Sequence, residues 1–464
     1  METKSSSTEN NNAHSKASTP EGSSGLPKSL LVVFVALLLD LLAFTMILPL
    51  LPALLDYYGH QDDSFYRCLR QGINSLRDLI GVPDEPRWNS VLFGGAIGSM
   101  FSFLQFLASP IVGATSDVYG RRPLLIVTML GVAVSYVLWA LSESFMIFVI
   151  ARIVGGISKG NVSVSTAVVS DVLPLEKRGR GMALIGIAYS LGFLIGPLIG
   201  AAFAGSLRSH TESGVFFVAP ALVALFFAIV DIIFIVVFFK ETLPQDKRAK
   251  SLGSGLEKAK HYINPVSLFQ FKAVSGVSKA NLKNLQDIGF IYFLYLFLYS
   301  GLEFTLTFLV HLRFNYNSMQ QGRMFFFIGL IMIVVQGGFV RRLQSGTEQS
   351  LATKGILILM PALITVGVAF YIPVLYLGLM MFSFASATVV PCLTTMVASY
   401  GSAEQKGTVM GIFRSLGALA RAFGPIVAST LYWGAGPAVC YTVGAVGLVI
   451  PYILLRRVKS THTD

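Results

Sequence analysis

Between residues 30 and 455 the chain keeps returning to apolar runs of about twenty residues, each long enough to cross the hydrocarbon core of a bilayer. The runs read as spans at about 30–55, 90–112, 124–141, 145–172, 181–203, 215–239, 288–311, 323–340, 354–373, 375–399, 407–432 and 437–455. Backbone in lipid must satisfy its own N–H and C=O groups, so every span is expected to be helical. The expected fold class is an all-α membrane protein. Only 13% of residues are charged, about half the share of a soluble domain. The net charge of +11 does not call for nucleic acid. Most Lys and Arg fall in segments on one side of the alternating spans, which is the positive-inside pattern.

That alternation divides the chain. Residues 1–28 lack apolar content and read as a disordered cytoplasmic tail. Residues 29–240 hold six spans, 241–287 a cytoplasmic linker loop, 288–456 six more, and 457–464 a second cytoplasmic tail ending the run Arg456, Arg457, Lys459. In the loop at 56–89, residues 65–80 read as a short surface helix. Within the linker, Asn264-Pro-Val-Ser-Leu-Phe-Gln-Phe271 reads as either a membrane-surface amphipathic helix or a solvated connection. Of Cys68, Cys392 and Cys440, only Cys68 falls outside, so no disulfide is expected. No zinc spacing, phosphate loop or nucleophile elbow occurs in a suitable context, so neither metal nor cofactor nor enzymatic activity is expected.

The two sets of spans repeat. Glu176-Lys-Arg-Gly179, Met182 and Gly196-Pro197 align without a gap on Glu404-Gln-Lys-Gly407, Met410 and Gly424-Pro425. Two six-span halves with weak internal symmetry place a binding site near the membrane midplane between them.

Spans 2 and 3 are joined by Gly113-Ala-Thr-Ser-Asp117-Val-Tyr-Gly120-Arg121-Arg122-Pro123. The glycines allow a sharp reversal, and Pro123 suits the first turn of the next helix. The pattern resembles the signature loop of the major facilitator superfamily, although Val118 stands where that family usually has a basic residue. Arg152 and Gly156 resemble its span 4 motif, whose arginine is linked to proton transfer. Gly192-x3-Gly196-Pro197-x2-Gly200-Ala201 resembles its span 5 antiporter signature, with Ala201 in place of the last glycine. Physically, this stripe also reads as a packing face of small residues. The resemblance implies twelve helices in two pseudo-symmetric six-helix bundles. It also implies an inner gate at Gly113, Asp117, Gly120, Arg121, Arg122 and Asp171, with Gly196 and Pro197 as a hinge.

Charges inside spans are expensive and usually functional. They are Asp40, Arg152, Lys159, Asp231, Glu303, Arg414 and Arg421. On a continuous helix Arg152 and Lys159 share one face, about 10 Å apart along the axis, as do Arg414 and Arg421. A cleft with one cationic stripe per half attracts an anion. Lys159 and Arg421, with Arg414 and Glu303, are therefore the candidate substrate-binding residues. Asp40 is the candidate proton carrier, with Arg152 as its partner. Asp231 reads as a structural pair.

Further stretches, Asp40-Leu-Leu-Ala-Phe-Thr, Gly155-Gly-Ile-Ser-Lys159-Gly-Asn-Val-Ser and Arg414-Ser-Leu-Gly-Ala-Leu-Ala-Arg421, are similar to the tetracycline-transporter-like branch of the superfamily. That similarity implies an organic anion carrier. The expected function is secondary active transport of a small organic anion by alternating access, coupled to protons, by a monomer in the lipid bilayer. The expected location is the plasma membrane or an intracellular membrane such as the nuclear envelope. Efflux of neutral or cationic drugs through Asp40 and Glu303, and a transport-inactive scaffold, are the alternatives.

Overall fold

The structure is a computed structural model. It describes residues 27–458 apart from 62, 81–88, 175–177, 208–216, 249–259, 261, 275–276, 341–345 and 401–405. Almost all of the first tail, most of the second and much of the linker therefore lie outside the described residues, as do Glu176 and Glu404 of the internal repeat.

Among the described residues the ordered segments are helical. The N-terminal half contains α1 (Lys28–Thr45), α2 (Leu51–His60), α3 (Ser64–Ile80), α4 (Asn89–Tyr119), α5 (Arg121–Ala140), α6 (Phe145–Ser158), α7 (Asn161–Val172), α8 (Arg178–Leu207) and α9 (Val218–Phe238). After the short α10 (Pro265–Phe269), the C-terminal half contains α11 (Lys279–Phe314), α12 (Ser318–Gly338), α13 (Glu348–Gly367), α14 (Ile372–Tyr400), α15 (Lys406–Gly447) and α16 (Val449–Arg457). Among the described residues eleven helical stretches are long and apolar enough to cross a membrane. The longest, Thr408–Arg457 with 50 residues, extends about 75 Å at 1.5 Å per residue. It leaves helical geometry at Gly436, φ 80°, directly before Pro437. That break makes it two crossings, so the twelve expected spans are present and the first and last described residues reach one face, called here the terminal face.

Two expected segments take a different form. Span 4 is not continuous. It breaks between α6 and α7 at Lys159, whose ψ is 42°, so Arg152 and Lys159 do not share one helical face. The linker segment becomes α10, capped by Asn264 Oδ1 accepting from the Val266 amide at 3.0 Å. Its Leu268 and the following Phe271 are fully buried, and the Phe271 ring lies against Gly289 of α11. Through these two residues the segment packs against the C-terminal bundle. The expected surface helix at 65–80 is present as α3.

Small residues set the packing of the first half. The Thr45 hydroxyl lies 2.8 Å from the Leu41 carbonyl and 2.8 Å from the Gly192 carbonyl, joining α1 to α8. A Cβ on Gly196 would strike Thr45 Oγ1 and lie 2.8 Å from the Leu42 carbonyl. On Gly200 it would strike the Met46 backbone. The glycine stripe is therefore the surface on which α1 sits.

The halves meet along α4 with α15 and along α8 with α12, two contacts that exchange under the pseudo-twofold. Toward the face opposite the termini they lock. Trp433 Nε1 donates to Asn89 Oδ1 at 2.9 Å, buried, and the Ile426 amide donates to Ser99 Oγ at 2.9 Å. His311 Nε2 lies 2.7 Å from Asp56 Oδ2, joining α11 to α2. On the α8–α12 seam, a Cβ at Gly322 would lie 3.2 Å from the Pro197 carbonyl. Gly196→Val is expected to overpack the α1–α8 contact by about 1–3 kcal/mol, lowering the unfolding temperature in detergent. Gly186→Ala, with no heavy atom within 4 Å of the added Cβ, serves as the control and should leave it unchanged or raise it.

Candidate functional site

Three groups of charge lie at different depths. The first, at the terminal face, is built on the turn between α4 and α5. Gly120 has φ 104°, a left-handed value that glycine adopts without strain. This turn brings Arg121 back beneath α4. Its Nη1 donates to Asp117 Oδ1 at 2.6 Å and to Ser116 Oγ at 2.6 Å, and its Nε donates to Asp171 Oδ2 on α7 at 2.9 Å. The structure thus brings together the expected trio of Asp117, Arg121 and Asp171. Gly113 lies against α7, where a Cβ would come 2.9 Å from Ser163 Oγ. Arg122 turns away and donates to the Val236 carbonyl at 2.6 Å.

Sequence reasoning missed Glu241, just beyond α9. It accepts from the amides of Arg121 at 2.9 Å, Arg122 at 3.1 Å, and Thr242 and Leu243 at 3.0 Å each. A carboxylate at the exposed amides of a helix N-terminus satisfies groups with no intrahelical partner. Burial pushes the Glu241 carboxyl up, but these four amides together outweigh it and hold it below its usual value. The lone signal in the sequence was an acid directly after span 6.

The second group lies inside the N-terminal half. Asp40 is fully buried and Lys159 is 3% exposed. Lys159 Nζ donates to Asp40 Oδ1 at 2.5 Å, and Asn161 Nδ2 donates to Asp40 Oδ2 at 2.7 Å. The helix break makes this possible. It turns the side chains on both sides of Gly160 toward α1, where an unbroken helix would separate Lys159 from Asn161 by about 200°. Lys159 Nζ also sits 4.6 Å from the Phe44 ring centroid. The expected Asp40–Arg152 pair is not formed. Arg152 instead lies over the rings of Trp139, at 5.5 Å, and Phe148, at 5.6 Å, and its Nε has no hydrogen-bond partner. A desolvated guanidinium on aromatic faces is stabilised by their quadrupoles. Among the described residues Asp231 does not form its expected ion pair either. It is 1% exposed with Oδ1 unpartnered, within electrostatic reach of Asp40 and Lys159.

The third group faces it from the C-terminal half. Arg421 is exposed although it lies midway between Lys406 and the Gly436 break. Among the described residues it makes neither ion pair nor hydrogen bond. Tyr189 of α8, Tyr292 and Glu303 of α11, and Arg414 all lie within electrostatic reach of it, so it points into the space between the halves. Arg414 touches the opposite half, with Nη2 3.6 Å from Met182 Sδ. Tyr292 stacks on Phe413 at 3.8 Å. Glu303 lies 3.1 Å from the Tyr299 hydroxyl, which lies 2.8 Å from Ser386 Oγ.

The structure therefore keeps Arg421, Arg414 and Glu303 together and withdraws Lys159 into a pair with Asp40. Asn161, Tyr299 and Ser386 are polar neighbours that sequence reasoning did not single out: Tyr299 stands four residues before Glu303 on α11, a spacing that could have flagged it, whereas Asn161 and Ser386 become relevant only through contacts between helices.

Lys159→Met should leave Asp40 buried without its cation and cost about 3–5 kcal/mol. The double variant Asp40→Asn with Lys159→Met should recover most of that loss, as a double-mutant cycle of thermal unfolding would measure. Glu241→Ala should speed hydrogen exchange at the Arg121 and Arg122 amides at neutral pH. Because the folded carboxyl titrates below its usual value, the cap holds above the ordinary carboxylate range. The protection in the wild type should fade only as pH falls through the lowered value.

Residues 33–425 match the Major Facilitator Superfamily profile. The chain is 49% identical over 434 residues to mouse major facilitator superfamily domain-containing protein 10, covering 93% of this chain and 92% of the mouse protein. It is 49% identical over 432 residues to the human protein of the same name, covering 92% of each. The crystal structure of the human organic anion transporter MFSD10 (TETRAN) superposes with a TM-score of 0.77, covering 92% of this chain and 99% of that one. A bacterial homologue of the lysosomal transporter Spinster, inward-facing and 14% identical, gives a TM-score of 0.60 and reflects the fold alone. With twelve crossings in two related halves and this match along most of its length, the chain belongs to the major facilitator superfamily of membrane transporters.

Proposed function

We propose that this transporter carries small organic anions by alternating access, coupled to protons, with Arg421 as the main contact for the anionic group. The observation that carries this reading is the unpaired, exposed Arg421 at mid-span between the halves. A guanidinium there is costly unless water or an anion meets it, and its planar fork holds a carboxylate or sulfonate through two hydrogen bonds. Arg414 adds positive potential, and Tyr189 and Tyr292 offer one aromatic wall from each half. The likeness to a human protein described as an organic anion transporter points the same way. Both termini are assigned to the cytoplasm from the Lys and Arg bias of the loops.

Lys159 is the second cation of the site, masked here by Asp40. A proton on Asp40 neutralises that carboxylate and releases Lys159 toward the cargo. Proton and anion then favour each other's binding, and this linkage is reciprocal. An anion held by Arg421 from one half and Lys159 from the other also favours the state in which both cations are near it. At the terminal face, the Asp117–Arg121–Asp171 cluster serves as the gate that closes and opens. Efflux of cationic drugs fits less well: Asp40 is occupied by two donors, and Glu303 is tied to Tyr299.

Counterflow in proteoliposomes, with fluorescein, p-aminohippurate and taurocholate at two pH gradients, tests the reading. Wild type should exchange at least one of these anions. Arg421→Lys should lower apparent affinity by roughly tenfold, the scale of one charge-assisted hydrogen bond, and Arg421→Glu should abolish exchange. Full anion exchange by Arg421→Glu would remove the assignment, and failure of the whole panel in wild type would favour the scaffold alternative.

A further inference from the structure

Glu303 stands at one end of a hydrogen-bonded chain in which the protons can be counted. Its Oε1 lies 3.1 Å from the Tyr299 hydroxyl oxygen. That oxygen lies 2.8 Å from Ser386 Oγ, and Ser386 Oγ lies 2.8 Å from the Phe382 carbonyl of its own helix. The carbonyl can only accept, so that link is kept only when the single Ser386 proton points there. Ser386 must then accept from Tyr299, which uses the single tyrosine proton. The remaining link is one in which an ionised Glu303 would accept from the Tyr299 hydroxyl; all three links are kept together only when the carboxyl brings a proton of its own. Hydroxyl directions follow from satisfying the whole network rather than from any one pair. With Glu303 ionised, every arrangement leaves one of the links with two lone pairs facing each other.

No other neighbour offers the missing proton. Tyr295 stacks on Tyr299 with ring centroids 5.6 Å apart, but its hydroxyl is buried without a partner and does not reach Glu303. Arg421 of α15 acts on Glu303 only through its field; among the described residues Glu303 makes no ion pair. Asp40 is the opposite case. Both of its oxygens face donors, the Lys159 ammonium and the Asn161 amide, so its hydrogen bonds are complete only when it is ionised.

We propose that Glu303 binds a proton in this conformation and is the proton site of the C-terminal half, while Asp40 stands ionised in the other half. This rests on reading the chain as a proton-coupled carrier and assigns the proton to a second acid. The arrangement also gives the coupling its sign. Arg421 holds an unneutralised positive charge near Glu303, and an anion seated on Arg421 cancels it. Anion binding therefore holds the proton on Glu303, and anion departure releases it through the cleft. The step moves one proton on and off a carboxyl oxygen and needs no other reactant.

Infrared difference spectroscopy on the full chain in nanodiscs, without any cargo, tests the assignment directly. At neutral pH a protonated-carboxyl C=O component is expected that Glu303→Gln removes and that Asp40→Asn and Asp231→Asn both retain. A spectrum in that region unchanged by Glu303→Gln overturns the proposal. Ser386→Ala frees the Tyr299 proton to stabilise an ionised Glu303, so the band should titrate away at a pH lower by about one unit, the worth of one hydrogen bond. A midpoint unmoved in Ser386→Ala overturns the hydrogen-bonded chain as the cause.

In proteoliposomes, with whichever panel anion wild type exchanges, Glu303→Gln should lose accumulation driven by a pH gradient when that accumulation is scaled to the variant's own counterflow rate. Undiminished gradient-driven accumulation overturns the coupling role. If wild type exchanges no panel anion, the transport reading fails while the infrared result still decides the proton site.

Discussion

The buried contact between Asp40 and Lys159 is the interaction on which the rest of the structure depends. A carboxylate and an ammonium with essentially no exposure, in a segment meant for lipid, are tolerable only when each meets the other and their remaining hydrogen bonds are filled. Asn161 fills one of them. Reaching that geometry requires span 4 to break at Lys159 and Gly160, at the cost of regular backbone bonds where α6 passes into α7. The break is affordable because the freed groups lie inside a protein bundle rather than against lipid. The same break carries α7 on to present Asp171 to Arg121 at the terminal face. One buried pair thus links the core of the first half to its gate.

The second half resolves the same problem differently. Where the first half neutralises its acid with a lysine, the second leaves Arg421 free of any ion pair among the described residues and ties Glu303 to hydroxyl groups. Asp40 and Lys159 are thus paired in one half, and Glu303 and Arg421 stand apart in the other. The halves are locked toward the face opposite the termini by Asn89 with Trp433, Ser99 with the Ile426 amide and Asp56 with His311. A ligand that engages cations from both halves changes which arrangement of these locks and gates is favoured, because it contributes energy only where both cations are close.

Much of this was legible in the sequence, for definite reasons. Spans follow from length and apolarity, so their number and approximate limits came through, including the crossing hidden within Thr408–Arg457. The gate trio was legible because Asp117 and Arg121 are four apart across a turn that Gly120 permits, and Asp171 falls at the same depth. Partners were not legible. Arg152 was expected to meet Asp40, which assumed an unbroken helix; the structure gives that place to Lys159 and sets Arg152 on Trp139 and Phe148. Asp231 was expected to find a partner, but its Oδ1 has none. The Asn264–Phe271 segment has amphipathic composition, which cannot distinguish a lipid surface from a groove between α11 and α15.

The sequence by itself determined the class, the number of crossings, the symmetry of the halves and which residues bring charge into the membrane, because these depend on residue type and spacing along the chain. Tertiary structure alone decided which acid meets which base, that Glu241 caps the signature turn, and that Ser386 meets Tyr299 one turn from Glu303. Those outcomes depend on the rotation and depth of neighbouring helices. A single backbone break at Lys159 turns a side chain through a large angle, and no periodicity of the sequence records it.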